Sequence, residues 1–270
     1  MTYKHIFLTR FNLQFESDTT IHVHPQWLDE RFRLFEQYCL PSIIQQTNHN
    51  FKWIILASDD TPTIYQDRLL KYSQEYSFID IIFCPYYNDI NELYKSIGEK
   101  YAIGYDFLLS TRIDNDDMLS SYFVETLQSY LQDMQLRKCI ITFPYGIQWF
   151  EEENMTFRVK YDKNHFLSFL EPSSCIKTSL GVNHPTVSTQ DLTPIMTRDL
   201  WCEIVHHNNI SNNYTPVYQY SLHKPNQQYP IILTRAKNWK QAIFLLTKHL
   251  TFRYRQIKHV IIRLFDSRTS

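Results

Sequence analysis

The sequence predicts an α/β protein built on a doubly wound, mostly parallel sheet flanked by helices, with a C-terminal helical extension. Three observations predict it. Short apolar runs bounded by turn residues occur at 5–11 (HIFLTRF), 51–57 (FKWIILA), 79–84, 107–109 (FLL) and 139–143. Between them lie stretches whose apolar residues recur at helical spacing, and strands that alternate with helices join through crossovers that make neighbours parallel. Finally, 270 residues with 43% hydrophobic and 16% aromatic content supply a sizeable core, enough for one large α/β domain or two small ones. We expect a main domain over 1–230 and a basic helical tail over 231–270.

Taken in order, the first strand ends in Thr9, Arg10 and Asn12, polar groups that mark a site edge. His22 and His24 read as surface residues. Leu28, Phe32, Phe35, Cys39 and Ile43 give a helix from Trp27 to Gln46, which Pro41 kinks or restarts. The strand at 51–57 ends in Ser58, Asp59 and Asp60, after which Thr61 and Pro62 open a helix to about Tyr76. A strand from Ile79 to Cys84 and a helix from about Asn91 to Tyr101 lead to the strand at Phe107. Phe123, Leu127, Tyr130 and Leu131 then mark a helix, followed by a strand from Cys139 to Phe143. A hairpin is expected over 146–161, turning at Glu151 to Asn154. From 162 to 198 the pattern loosens; His165, Glu171, His184 and Asp191 fall there, where acceptor-binding loops of α/β enzymes tend to lie. A helix from about Thr197 to Val205 is predicted to end in His206-His207-Asn208-Asn209, either a cap with a polar loop or a ligand cluster.

The stretch of greatest chemical interest is Phe107 to Leu119, FLLSTRIDNDDML. A buried strand runs into Asp114, Asn115, Asp116 and Asp117, and ligands of open α/β sheets bind at the C-terminal ends of strands. Clustered carboxylates repel unless a cation or a hydroxyl-rich ligand sits between them, and their hard oxygens suit Mg²⁺ or Mn²⁺. Capping of the next helix is the plainer reading, and the two can coexist. An EF-hand loop fits worse, because Met118 and Leu119 stand where it wants an acid or amide and a glycine.

Composition removes several classes. Four glycines, at 98, 104, 146 and 181, permit neither a G-x-G-x-x-G turn nor a P-loop. Five cysteines, none spaced C-x-x-C, argue against zinc; with no leader they suit a reducing cytosol. No apolar run approaches the roughly 18 residues of a membrane span. Charge is uneven: residues 231–270 hold nine Lys/Arg and one acid, Asp266, leaving 18 Lys/Arg against 27 Asp/Glu before them. From Trp239 to Phe265, Ile243, Phe244, Leu246, Leu250, Tyr254, Ile257, Ile261 and Leu264 recur at helical spacing among the basic residues. This reads either as a packing helix with a solvated basic face or as an interfacial helix drawn to an anionic membrane surface.

TRFNL (9–13), RFRLFEQYCLPSIIQQT (31–47), FKWIILASDDTP (51–62), STRIDNDD (110–117) and WCEIVHHNNISN (201–212) together resemble the rhamnosyltransferase-like family of bacterial glycosyltransferases, and more broadly GT-A enzymes. The resemblance implies a GT-A-like fold and transfer of a hexosyl or deoxyhexosyl group from a nucleotide-sugar donor. It makes Asp114 and Asp116 similar to a DxD metal motif, although DNDD also permits the register Asn115 with Asp117.

The chemistry is consistent with that. A nucleoside diphosphate leaves poorly until its charge is neutralised, as Mn²⁺ or Mg²⁺ would do. Asp114 and Asp116 are the expected metal ligands, with His206 completing the shell. Thr9, Arg10, Asn12, Asp59, Asp60, Arg112 and Asp114 are donor-binding candidates, and Trp201 and Asn209 acceptor-binding ones. If the anomeric centre inverts, Asp191 and Glu171 are the candidate bases; if it is retained, no base is required. The expected acceptor is a glycan or lipid-linked oligosaccharide of a bacterial surface polysaccharide such as a capsule, with no nucleic-acid partner. The expected place is the cytoplasm, peripheral to the inner face of the cell membrane. The competing readings are metal-dependent nucleotidyl or phosphoryl transfer and a non-catalytic glycan-binding module.

Overall fold

The structure, a computed structural model, describes residues 1–14, 20–207, 218–221, 228–231, 233 and 238–266. Its first half alternates strand and helix: β1 (Tyr3–Arg10), α1 (Pro25–Leu34), α2 (Leu40–Ile44), β2 (Lys52–Ser58), α3 (Thr63–Glu75), β3 (Ile79–Cys84), α4 (Ile90–Ala102) and β4 (Phe107–Arg112). There follow β5 (Met118–Leu119), α5 (Phe123–Gln132), β6 (Cys139–Thr142), β7 (Tyr145–Phe150), β8 (Met155–Lys160), β9 (Ser168–Pro172), β10 (Leu192–Pro194), β11 (Trp201–Val205), β12 (Gln219–Ser221) and α6 (Asn238–Asp266).

A seven-stranded sheet runs β10-β6-β9-β4-β1-β2-β3. Only β9 opposes its neighbours, pairing antiparallel with β4 and β6. The sheet is therefore mostly parallel, and its strand order reverses between β1 and β4. Its strands are apolar on both faces because both are covered. Phe7, Trp53, Ile55 and Leu109 point to the side of Phe32, Phe35, Leu69 and Phe123, while Ile6, Leu8, Ile54, Leu56 and Leu108 point to that of Leu93, Tyr94 and Ile97. The alternation of successive residues between two cores is the signature of a doubly wound sheet.

The helix predicted over 27–46 is split. A π-helical turn at Phe35–Cys39 joins α1 to α2, and Leu40 N–H bonds back to Phe35 O. Widening the helix one turn ahead of Pro41 accommodates a residue that has no N–H to give.

A second sheet, β12-β8-β7-β11-β5, is entered at β5, directly after the acidic cluster. Here one expectation fails: the segment up to Val205 is a strand, not a helix. β11 lies inside the sheet, between β7 and β5, and Trp201, Cys202, Glu203 and Ile204 are all buried. With both faces covered, the residues carry no alternation for a strand reading to find. Trp201 packs its ring onto the backbone of Gly146, where an added Cβ would lie 2.1 Å from the ring. α6 lies on this sheet through Phe244, whose ring meets Phe150 and Phe157 at 4.8 and 5.7 Å.

Candidate active site

The site is built at the reversal point, the crevice where open α/β sheets bind ligands. The ladder from β4 continues as Ile113 N–H donates to Leu8 O, and a turn in which Asp117 N–H donates to Asp114 O folds the acids together. Thr9 is wholly buried; its hydroxyl donates to Ile113 O at 2.9 Å and accepts from Trp53 Nε1 at 2.9 Å. Asn12 is also buried, its amide donating to Thr61 Oγ1 and His22 O and accepting from Ser58 N–H. These two expected donor ligands spend the polar atoms named here on fastening the β1 and β2 loops, so they support the site rather than edge it. Asn115 does the same, donating to Phe11 O at 2.7 Å.

Asp114 is held by two N–H groups of Arg112, at 3.0 and 2.7 Å, with Arg10 at 3.8 Å. Burial opposes its ionisation, but Arg112, His165 and Arg10 outweigh burial and hold the carboxyl well below its ordinary range. Asp116 is buried, and its Oδ2 accepts from Arg31 Nη1 at 2.9 Å and meets His206 Nε2 at 3.1 Å. Burial is again the largest influence, offset by His206 and Arg31, so the carboxyl ionises more readily than usual. Asp117 is fully buried; it accepts from Ile204 N–H at 2.9 Å and lies 2.7 Å from His165 Nε2. Burial and the charges of Asp116 and Asp114 push it well above the carboxylate range.

A carboxyl so opposed by its neighbours is one that a cation would relieve. Asp114, Asp117 and His165 each offer a ligand atom within 4.8 Å of the others, a carboxylate and imidazole group of the kind that holds a divalent cation. This differs from the expected set of Asp114, Asp116 and His206. Asp114 is common to both sets; its two oxygens accept from Arg112, as Oδ2 of Asp116 accepts from Arg31, so a guanidinium stands beside each carboxylate. His206 caps a strand, not a helix.

Other expected residues fall elsewhere. Glu171 sits opposite Leu108, at the far end of β4, with both carboxylate oxygens accepting the N–H groups of Lys177 and Thr178 at 2.8 and 2.7 Å. Asp191 is exposed at the start of β10, three strands from β4. Neither reaches the acidic cluster. Trp201 is wholly buried, stacked on Phe166 with its Nε1 donating to Phe143 O, so no sugar can stack on it. Asp59 and Asp60 stand exposed in the turn after β2. His22, read as a surface residue, is buried and paired with Asp60 at 3.1 Å. Asn209 lies outside the described residues.

Asp117 belongs to the second register that DNDD permits, and His165 to the loosely patterned region expected to form loops, so both were in view without a role. Arg31 was not singled out by the sequence, because it looks like one of several charges on an amphipathic helix.

A family model described as putative rhamnosyl transferase matches residues 6–216 of this chain. No curated protein matches it by sequence. Among solved structures, residues 1–349 of S. aureus TarS are 8% identical over 76% of this chain, with a TM-score of 0.45. This chain covers 60% of that one. A putative nucleotide-diphospho-sugar transferase from Desulfovibrio desulfuricans G20 is 10% identical over 73% of this chain and 80% of its own, at a TM-score of 0.37. A putative glucose-1-phosphate thymidylyltransferase from Bacillus anthracis is 12% identical over 74% and 88%, also at 0.37.

Proposed function

We propose, since the chain belongs to the putative rhamnosyl transferase family, that it moves a hexosyl or deoxyhexosyl group from a nucleotide-diphosphate donor to a glycan or lipid-linked acceptor. The setting we propose is the cytoplasmic side of bacterial surface polysaccharide synthesis. The observation that carries the reading is the gathering of Asp114, Asp117 and His165 at the end of β4, with Arg10 and Arg112 on their flank.

Asp114, Asp117 and His165 would hold a divalent ion, Mn²⁺ or Mg²⁺, which would supply the charge neutralisation that a diphosphate leaving group needs. Arg112 fixes the orientation of Asp114 through its two N–H donors, and Arg10 adds positive charge at the same edge. Asp59 and Asp60, at the neighbouring strand end, face solvent where the nucleoside would lie. Asp116, with Arg31 and His206, braces the turn from below. We assign no part in the chemistry to Glu171 or Asp191.

The test is release of nucleoside diphosphate from a panel of UDP-, GDP- and dTDP-sugars, in Mn²⁺ and in EDTA, for the wild type, His165→Ala and His206→Ala. Release should be metal-dependent with one nucleotide, and the Mn²⁺ requirement should rise more for His165→Ala than for His206→Ala. The reverse order would return the ion to Asp116 and His206. Release of pyrophosphate instead would favour nucleotidyl transfer.

A further inference from the structure

α6 is apolar on two opposite faces, and the body of the protein covers only one. On the covered side Phe244 and Leu245 pack against the core, Gln241 is buried and donates to Thr156 O at 2.7 Å, and Lys248 pairs with Glu153 at 2.8 Å. On the other side Trp239, Ile243, Leu246, Leu250 and Tyr254 are 59, 56, 59, 60 and 67% exposed. At about 100° per residue these five fall within an arc of roughly 80°, opposite the covered side. Exposed Lys240 and Arg253 flank the stripe, one on each side. The sequence keeps the same spacing onward through Ile257, Ile261 and Leu264.

Such a stripe needs an occupant, and charge selects it. Residues 231–270 carry nine Lys/Arg and one acid, so a second copy laid against the stripe would set one strongly basic tail on another. An anionic bilayer meets the same charge with attraction, and Trp and Tyr are side chains that settle at the bilayer interface. No described helix is long and apolar enough to cross a membrane, so the helix would lie in the surface and not span it. Its course adds a consequence. From Thr156 to Glu153 it heads for the 151–154 turn, where Glu151 N–H donates to Val205 O and Glu152 pairs with His207, and it continues for 18 residues, about 27 Å, beyond Lys248. That is the end of the second sheet at which β11 delivers His206.

We infer that α6 docks the protein on an anionic lipid surface through Trp239, Ile243, Leu246, Leu250 and Tyr254, with Lys240 and Arg253 at the headgroups, and so brings the site end of the second sheet close to the membrane. This goes beyond the proposed reaction, and vesicle binding needs no nucleotide sugar, so the two fail separately.

The experiment is co-sedimentation of the full chain with vesicles of phosphatidylcholine alone and of phosphatidylcholine mixed equally with phosphatidylglycerol. The partners are wild type, Leu246→Glu/Leu250→Glu and Lys240→Gln/Arg253→Gln, each checked for an unchanged melting temperature. Wild type should bind the anionic vesicles and bind the neutral ones weakly. The double Glu variant should bind at least about tenfold less, and the double Gln variant should lose part of its preference for anionic lipid. Brominated acyl chains should quench Trp239 fluorescence, a change absent in Trp239→Phe. No binding by wild type, or equal binding by the double Glu variant, would overturn the inference. So would a dimer of wild type that the double Glu variant dissolves without any vesicle binding.

Discussion

Replacing Arg31 by methionine removes a guanidinium that donates to Asp116 Oδ2 at 2.9 Å and to Asn115 Oδ1 at 3.3 Å. The side chains of the pair are only 8 and 9% exposed, so solvent screens it little. Breaking such a pair from one side costs about 3–5 kcal/mol, because the surviving charge stays buried. His206 remains 3.1 Å from Asp116, which places the expected cost of Arg31→Met near the low end, about 3 kcal/mol. Asp116→Asn leaves the cation buried without its carboxylate and should cost a similar amount. At about 2–4 °C per kcal/mol for a chain of this size, either variant melts about 6–12 °C below wild type. The combined variant removes both charges at once, so its loss should fall short of the sum by about 2 kcal/mol. Denaturant unfolding in EDTA of the four proteins of the cycle measures this. Additivity within about 0.5 kcal/mol would mean that Asp116 does not depend on Arg31.

Gly146→Ala sets a Cβ 2.1 to 2.4 Å from the ring of Trp201, itself held by Phe166 and Phe143; a thermal melt should show a loss of about 1–3 kcal/mol or more, or an insoluble product. Burial holds His5 neutral, with its pKa lowered from 6.5 to about 3. A depressed pKa gives stability that is present above the unfolded value and lost as pH falls from about 6.5 towards 3. Its upper bound is on the order of 5 kcal/mol. His5→Phe should therefore flatten the acid limb of a pH-stability curve, and an unchanged limb would contradict the assignment. Glu171→Gln turns an amide N–H towards the backbone N–H of Lys177 or Thr178; stability should fall by about 1–3 kcal/mol while turnover per folded molecule stays unchanged.

The large sheet was legible because its strands are apolar on both faces. Runs such as FKWIILA can be satisfied only by burial between two layers, and Asp114 to Asp117 follow one of them directly. The second sheet was legible only in part. The β7 and β8 hairpin has its polar turn, but β5 is two residues long, and β11 sits where Trp, Cys, Glu and Ile suit a helix equally well until their neighbours are known. The site divides in the same way. Its acids are local in sequence, whereas Arg31 and His165 reach them across 85 and 48 residues, contacts that no local pattern announces. Glu171 and Trp201 show the converse. A carboxylate and an aromatic in a chemically suggestive region turned out to secure a loop and a core.

We propose that the end of β4 binds a nucleoside diphosphate through a divalent ion. The most direct measurement is the melting temperature of the full chain with UDP, GDP, CDP or dTDP, each with Mn²⁺ or EDTA, for wild type, Asp114→Asn and Asp117→Asn. One diphosphate should raise the wild-type melting temperature in Mn²⁺ and not in EDTA, by an increment that grows with ligand concentration, and both variants should lose the increment. A shift that persists in EDTA, or that survives in both variants, would rule out binding through an ion held by Asp114 and Asp117.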